Sequence, residues 1–163
     1  MREFGFREAA LGEEATIRTV VFSVLAEYGL SPDPRGIDTD LEDIAANYGN
    51  RGGSFRVVIS AEGDIIGCGG LYPLGNGAAE IRKMYLLPKA RGRGLGRKLL
   101  EDLITAAKDR GFQRIVVETA SVLKEAVSLY RGRGFVPYEY DHLAKRCDQA
   151  YVLDLVGDVP RVG

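Results

Sequence analysis

The 163-residue sequence predicts an α/β fold of the α+β kind, in which about four helices flank a mixed, mostly antiparallel sheet of about six or seven strands. Three observations predict it. Short runs of alternating polar and apolar residues are separated by turn residues, as in strands that pair as hairpins. Longer segments repeat their apolar residues at helical spacing. One of these helices connects two central strands, and a helical crossover joins strands that run parallel.

Two helices are predicted in the first third of the chain. The first covers residues 12–28 and ends at Gly29, because these apolar residues fall on one face: Ile17, Val20, Val21, Val24, Leu25 and Tyr28. The second extends to Tyr48 and begins with Thr39 and Glu42. These two residues have the spacing of a capping box, in which each side chain bonds the other residue's backbone amide.

The strands alternate with turn signals and with two further helices. They are predicted over residues 4–7, 55–60, 65–72, 80–87, 114–118 and 151–156, with another near residues 134–135. The Asn76-Gly77 dipeptide is a strong hairpin signal before the strand at 80–87. The helix that follows this strand carries Leu95, Leu99, Leu100, Leu103, Ile104 and Ala107 on one face. A last helix carries the apolar residues Val122, Ala126, Leu129 and Tyr130.

The most informative segment is Arg91–Arg97, Arg-Gly-Arg-Gly-Leu-Gly-Arg, between the strand at 80–87 and its helix. A helix N-terminus presents unpaired amides and the positive end of the helix dipole. Glycines let an anion approach the backbone, and the arginines strengthen the field, so the segment predicts a phosphate site. The dinucleotide pattern G-x-G-x-x-G does not fit, because Arg97 stands where the last glycine is required after Gly92.

The segment reads R-x-x-G-x-G and resembles the acyl-CoA pyrophosphate loop, Q/R-x-x-G-x-G/A, of the GNAT superfamily of N-acetyltransferases. Its neighbours strengthen the likeness: Ala79-Glu80-Ile81 precedes it, and Arg114–Glu118, Tyr130 and Gly134-Phe135 follow. Residues 78–136 together resemble the family core from the fourth strand to the sixth. The resemblance implies that the strands at 80–87 and 114–118 splay apart and that acetyl-CoA enters the gap.

The resemblance also implies which residues hold the cosubstrate. The backbone of Met84, Tyr85 and Leu86 would face the thioester and the pantetheine arm. The pyrophosphate would lie on the loop formed by Arg91, Gly92, Arg93, Gly94, Leu95, Gly96 and Arg97. Leu123 departs from the family pattern, because many members have an asparagine near this position that bonds the pantetheine arm. Thr119 and Ser121 are the polar residues that could replace it.

Three side chains are candidates for the chemistry. Tyr130 lies where family members place a tyrosine next to the sulfur of CoA, which makes it the candidate general acid; its apolar stripe equally fits ordinary core packing. Glu80 and Glu118 lie where different family members carry a catalytic glutamate. Either could deprotonate the acceptor directly or through a water, or could simply pair with Arg82 or Arg114. Deprotonation through a water wire that uses neither remains open.

Composition excludes several other classes. With 22 basic and 23 acidic residues, the charge is balanced and no field for nucleic acid or for an anionic membrane is expected. Two cysteines, Cys68 and Cys147, make neither a disulfide framework nor a metal site, and the single histidine, His142, argues against a catalytic triad or zinc chemistry. The absence of a long apolar run or a signal-peptide pattern predicts a cytoplasmic protein. We expect one domain over residues 1–157 with a tail at 158–163.

These observations predict an N-acetyltransferase that moves an acetyl group from acetyl-CoA directly to a primary amine, with no metal. The acceptor is expected to be a small molecule. The resemblance implies that the loop flanked by an acidic run borders the acceptor cleft. These acids could attract a cationic amine, or could be ordinary acids at a helix N-terminus: Asp33, Asp38, Asp40, Glu42 and Asp43. The alternatives are a protein or peptide N-terminal acetyltransferase and a non-catalytic acyl-CoA-binding regulator. The sequence leaves open whether the protein forms a homodimer.

Overall fold

The computed structural model describes residues 3–139, 143 and 146–158. The seven strands in this part of the chain are β1 Gly5–Glu8, β2 Ser54–Ile59, β3 Ile65–Gly75, β4 Ala78–Leu86, β5 Arg114–Thr119, β6 Val136–Pro137 and β7 Gln149–Asp154. The four α-helices are α1 Glu14–Glu27, α2 Ile44–Asn47, α3 Leu95–Asp109 and α4 Lys124–Arg133. The predicted fold class is therefore confirmed. His142 and residues 159–163 of the predicted tail lie outside the described residues, and the domain boundary at 157 remains a prediction.

The strands form one sheet in the order β1-β2-β3-β4-β5-β7-β6. The pair β4–β5, connected by α3, is parallel, and every other described pair is antiparallel. The Asn76-Gly77 turn joins β3 to β4 with both residues at positive φ, 53° and 78°, as a type I′ hairpin requires. The predicted parallel crossover and the predicted hairpin are both confirmed.

The sheet opens in the middle, between β4 and β5. These strands pair only from Ala78–Ile81 on β4 to Arg114–Val117 on β5, and β4 then continues without β5 at its side. Just past that point β4 carries a bulge: Cys68 pairs with Tyr85 and Gly70 with Arg82, so that two residues oppose one. Lys83, one of the two, has a φ of 57°. The bulge turns the β4 backbone beside the opening.

Each face of the sheet is covered by its own helices. The helices α3 and α4 bury one face, and all six apolar residues predicted for α3 are buried there. On the opposite face α1, α2 and Tyr48 pack on β2, β3 and part of β4. The two helical layers flank the opening between β4 and β5, which is where the predicted site residues lie. No helix in the described residues is long and apolar enough to cross a membrane.

The second helix is shorter than the predicted segment that ends at Tyr48. Residues Thr39–Glu42 form a 3₁₀ turn, and α2 contains only four residues. The predicted capping box is wrong because Thr39 donates its hydroxyl to the carbonyl of Gly36 at 2.7 Å. The helix is capped instead by Asp43, whose carboxylate accepts the N–H of Ala46 at 3.1 Å.

Candidate active site

The glycine loop after β4 has the geometry of an anion site. Gly92 and Gly94 have φ values of 75° and 76°, in the left-handed region that favours glycine. Lys98 donates its backbone N–H to the carbonyl of Gly94 at 3.2 Å, so the amides of the loop before it lie outside the helical hydrogen-bond ladder. A Cβ added at either glycine would have no atom within 4 Å. The loop is therefore open to a ligand above the N-terminus of α3.

Arg91 was expected at the pyrophosphate, but its side chain is bonded to other residues of the protein. Its Nε and Nη2 donate to the carbonyl of Leu86 at 3.1 and 2.9 Å, and Nη2 also donates to Glu27 at 2.9 Å. The guanidinium thus ties the loop to the end of β4 and to α1. Gly96 brings α3 close to α4, because a Cβ there would lie 2.9 Å from Cδ1 of Leu129. For these two residues the structure shows a role in shaping the loop.

A narrow cavity of about 80 Å³ leads from this loop into the molecule. Arg91 and Gly96 line its outer end, and Met84 and Tyr85 line its inner end at the β4 bulge. It adjoins a larger cavity of about 320 Å³, and four residues line both: Met84, Tyr85, Leu123 and Ala126. A ligand on the glycine loop could therefore extend along β4 into the larger cavity, as the pantetheine arm of CoA would.

The larger cavity, called here the main cavity, brings together all three side chains predicted for the chemistry. Glu80, Glu118 and Tyr130 line it, and they come from β4, β5 and α4. Thr119 also lines it, whereas Ser121 is bonded to Asp148 through both its amide and its hydroxyl at 2.7 Å. Of the two residues expected to replace the family's asparagine, Thr119 is the one that faces the cavity.

Glu80 and Glu118 both face the main cavity, from β4 and β5, and are called here the carboxyl pair. The charge of Glu118 disfavours ionisation of its neighbour Glu80, because like charges repel. Glu80 also pairs with Arg82, whose guanidinium stacks 3.7 Å over the ring of Tyr72. Burial raises the pKa of Glu80 above its usual range; Arg82 opposes this shift, and the neighbouring Glu118 adds to it. Glu80 is thus a better proton acceptor than an ordinary exposed glutamate.

Tyr130 is almost completely buried, at 3% exposure, with its hydroxyl at the cavity. Among the described residues, its hydroxyl contacts the sulfur of Met84 at 3.9 Å, and a thioether is a weak acceptor. Burial, and to a smaller degree Tyr85 and Cys147, raises the pKa of Tyr130 above its ordinary value. The phenol therefore stays protonated and has a hydrogen bond to offer to a ligand.

A buried ionic network, not predicted from the sequence, forms one wall of the main cavity. Lys83, at the bulge, places its Nζ 2.9 Å from the carbonyl of Ile37, 3.1 Å from Asp40 and 3.3 Å from Asp38. Arg146 makes a two-pronged ion pair with Asp38 at 2.7 and 2.8 Å. Burial would raise the pKa of Asp38, but hydrogen bonds from Arg146 and from the amide of Asp33 outweigh it and lower the pKa. This network joins the 37–40 segment, β4 and the segment before β7.

The network changes the interpretation of the acidic run. Asp38 and Asp40 are buried and neutralised by cations, and Glu42 pairs with Arg18 at 2.7 Å. Because their charges are already paired, these residues do not form the acidic surface that was expected to attract a cationic amine. The negative charge facing the cavity comes from the carboxyl pair instead.

The two cysteines lie in different surroundings. Cys68 is fully buried, and burial raises the pKa of its thiol to about 12, so it is a core residue. Cys147 lines the main cavity, where burial raises the pKa of its thiol to about 11. A thiol with such a pKa is protonated at neutral pH and a poor nucleophile. Within the described residues, no group of three or more acidic, histidine or cysteine side chains is arranged to hold a metal ion.

The splayed strands, the bulge and the glycine loop at a helix N-terminus together define a fold for acyl-CoA-dependent acyl transfer. The model of the Acetyltransferase (GNAT) family matches residues 21–135, and the chain belongs to that family. It is 37% identical over 140 residues to the uncharacterized N-acetyltransferase YjgM of Escherichia coli K12, across 82% of this chain and 83% of the relative. The protein is therefore an acyltransferase of the GNAT type with N-acetyltransferase relatives.

Solved structures agree on the fold. A GNAT-family acetyltransferase of Staphylococcus aureus Mu50 superposes with a TM-score of 0.87 at 25% identity, across 94% of this chain and 99% of that one. The spermidine N-acetyltransferase of Vibrio cholerae, in complex with CoA and spermine, superposes with a TM-score of 0.69 at 17% identity, across 94% and 96%. At these identities the likeness concerns the architecture, and the acceptor of this chain has to be argued from its own cavity.

Proposed function

We propose that this protein transfers the acetyl group of acetyl-CoA directly to a small molecule whose primary amine lies in the main cavity at the carboxyl pair. One observation carries the proposal: the carboxyl pair and the Tyr130 hydroxyl line one cavity, at the inner end of the channel from the glycine loop. Direct transfer needs a proton acceptor and a hydrogen-bond donor at the end of a channel that can hold CoA. The CoA-bound spermidine N-acetyltransferase, a neighbour in fold, supports an amine acceptor.

The residues around the channel fit acetyl-CoA. Gly92 and Gly94 leave the loop open, so its amides would hold the pyrophosphate at the positive end of α3. Met84, Tyr85 and Leu86 would present the turned β4 backbone to the pantetheine arm and the thioester carbonyl. When bound, acetyl-CoA would supply the activated carbonyl carbon and the leaving thiolate. Backbone amides near that carbonyl would stabilise the developing oxyanion.

The carboxyl pair would act on the acceptor. An alkyl ammonium has a pKa of about 10, so at neutral pH the amine must lose a proton before its nitrogen can attack. Glu80 is the residue we assign as the base, because burial raises its pKa and the neighbouring Glu118 adds to this shift. A base whose pKa is raised toward neutral pH takes a proton more readily than an ordinary carboxylate does.

Tyr130 would stabilise the departing sulfur. A thiol has an ordinary pKa of about 8.5 and a tyrosine of about 10, and burial raises the pKa of Tyr130 further. Complete transfer of its proton to the thiolate is therefore uphill. We assign Tyr130 as a hydrogen-bond donor to the sulfur, a role that a permanently protonated phenol fills.

The test is release of free thiol from acetyl-CoA across a panel of amino acids, polyamines, other small amines and short peptides, combined with thermal unfolding with and without CoA. We expect CoA to raise Tm, because it binds the native state, and at least one small amine to give turnover. No Tm shift at millimolar CoA would contradict the whole proposal. A shift without turnover for any acceptor would favour the non-catalytic regulator, and turnover with peptides alone would favour the N-terminal acetyltransferase.

A further inference from the structure

A second cavity, of about 250 Å³, adjoins the main cavity at the carboxyl pair. Four residues line both: Glu80, Arg82, Val117 and Glu118. Further lining residues of this second cavity include Leu74, Ala78, Arg114, Val116, Tyr138 and Ala150. We call this space the open-face cavity. The carboxyl pair therefore lines two cavities, and the channel beside the glycine loop shares lining residues with the main cavity.

The open-face cavity has a mixed lining that includes the apolar residues Leu74, Ala78, Val116 and Ala150. Strand register places Tyr72, Glu80, Val116, Val152 and Val136 in one row across the sheet. The α1 and α2 layer covers the Tyr72 end of this row, which includes the contact between the rings of Tyr72 and Tyr48 at 5.7 Å. At the β6 end Val136 and Tyr138 are exposed by 56% and 43%, and on β3, two residues from Tyr72, Leu74 is exposed by 47%. Such a group next to a site is suited to contact an apolar ligand.

The open-face cavity has charged residues at both ends. The carboxyl pair lies at one end, where Arg82 pairs with Glu80; Arg114, the first residue of β5, lies at the other, opposite Asp154 of β7 in the strand register. Arg114 is exposed and makes no ion pair with any residue that the structure describes. At about 3.3 Å per residue, Arg114 lies about 7 Å along the strand from the row of Glu80 and about 13 Å from Glu118. Val116 lies between them.

We infer that the open-face cavity is an acceptor subsite, and that the acceptor is an amine joined by an apolar spacer to a carboxylate. This inference rests on the proposed function. The amine would lie at the carboxyl pair, the spacer on Val116, and the carboxylate at Arg114. An α-amino acid, whose amine and carboxylate share one carbon, is too short to reach both ends. A long ω-amino acid has the required length.

The experiment compares three acceptors of one chain length: aminooctanoate, octylamine and diaminooctane, which end in a carboxylate, a methyl group and a second amine. With wild-type protein and acetyl-CoA, we expect kcat/KM for aminooctanoate to exceed that for octylamine by about fivefold, the effect of a partly exposed ion pair. Diaminooctane should have the lowest kcat/KM of the three, because its second ammonium would face Arg114. Arg114→Gln should remove the preference, and Arg114→Glu should reverse it toward diaminooctane.

The controls separate this inference from the proposed function. Arg35→Gln removes an exposed arginine that lines neither cavity, and it should keep the wild-type preference. Thermal shifts with each acceptor in the presence of CoA report binding without turnover, so the inference is tested even if no acetylation occurs. Binding that depends on Arg114 without turnover would contradict only the proposed function. The inference would be overturned if kcat/KM for octylamine equalled that for aminooctanoate. It would also be overturned if Arg114→Gln kept the wild-type preference for aminooctanoate.

Discussion

The two sides of the site are constructed differently. The CoA side is one continuous segment, residues 84–97, that acts through backbone amides and through glycines at positive φ. The acceptor side is assembled from side chains on separate segments: the Asp38 turn, β4, β5, α4 and the residues before β7. The first side is thus encoded locally, whereas the second exists only when distant segments are packed together.

This difference determines how each side responds to substitution. On the CoA side most side chains can change, since the amides remain, and only a change of backbone freedom or of charge at the loop should matter. On the acceptor side a single side chain carries each interaction. Loss of that side chain removes a proton acceptor, a hydrogen-bond donor or part of the cavity lining. Mutations should therefore affect chemistry and acceptor binding on one side, and CoA affinity on the other.

Glu80→Gln should give the largest effect. It removes the assigned base, and kcat should fall by about 100-fold to 10,000-fold at neutral pH. In the wild type the rate should rise with pH along one limb, because the ionised carboxylate is the active form. That limb should lie above the ordinary glutamate pKa of about 4.3, since burial raises the pKa of Glu80. The variant should recover partly near the amine pKa of about 10, where free amine is abundant.

Two further variants make this measurement decisive. Glu118→Gln should lower the rate less, and it should shift the limb to lower pH because the neighbour that raises the pKa of Glu80 is lost. Glu42→Gln, at a glutamate that pairs with Arg18 outside the cavity, should leave the profile unchanged. If folded Glu80→Gln and Glu118→Gln proteins both keep the wild-type profile, the amine is deprotonated through water.

Gly94→Asp tests the CoA side. A carboxylate facing a pyrophosphate costs several kcal/mol, and because each 1.4 kcal/mol is a factor of ten, CoA affinity should fall by more than about 100-fold. The increase of Tm by CoA should disappear. Gly94→Asn is the matched control, since asparagine tolerates a positive φ as well as aspartate does and carries no charge. If both variants lose the Tm shift equally, backbone strain rather than charge is responsible.

Tyr130→Phe should lower kcat by about 100-fold with little change in CoA affinity, because the hydrogen bond to the departing sulfur is lost. Its hydroxyl contacts only the weak acceptor Met84 among the described residues, so Tm should stay the same or rise slightly. Tyr151→Phe is the matched control: that buried hydroxyl bonds Gln149 at 2.8 Å and Arg131 at 3.3 Å. It should lower Tm and leave kcat unchanged. Full turnover by Tyr130→Phe, with chemistry rate-limiting, would make Tyr130 a core residue only.

The same comparison explains what the sequence could predict. The glycine loop, the hairpin at Asn76 and the buried face of α3 are local patterns, and the structure confirms them. The splay between β4 and β5 followed from the family resemblance. The ionic network was missed because Lys83 and Arg146 are each unremarkable in sequence, and their partner Asp38 is 45 and 108 residues away. Residues this far apart in the sequence form no local spacing pattern from which their pairing could be predicted. The acidic run was misread for the same reason.

Lys83→Met, the last prediction, concerns that network. Methionine fills a similar volume but leaves Asp38 and Asp40 without the buried lysine, so Tm should fall. Because Lys83 holds the segment that carries Ile37 against the main cavity, the acceptor KM should rise by about tenfold, as misplaced binding groups lose efficiency. The KM for acetyl-CoA should change much less, since the loop at Gly92 and Gly94 does not depend on this network.

Two variants separate positioning from stability alone. Lys83→Arg keeps the charge and should restore most of the acceptor KM. Asp158→Asn breaks ion pairs with Lys108 and Arg133 away from both cavities, and it should lower Tm without changing either KM. The pKa of Asp158 is lowered to about 2 by Arg133, so this contribution to stability is present above pH about 4 and is lost as the pH falls toward 2. Lys83→Met with a lower Tm but unchanged acceptor KM would show that the network only stabilises the fold.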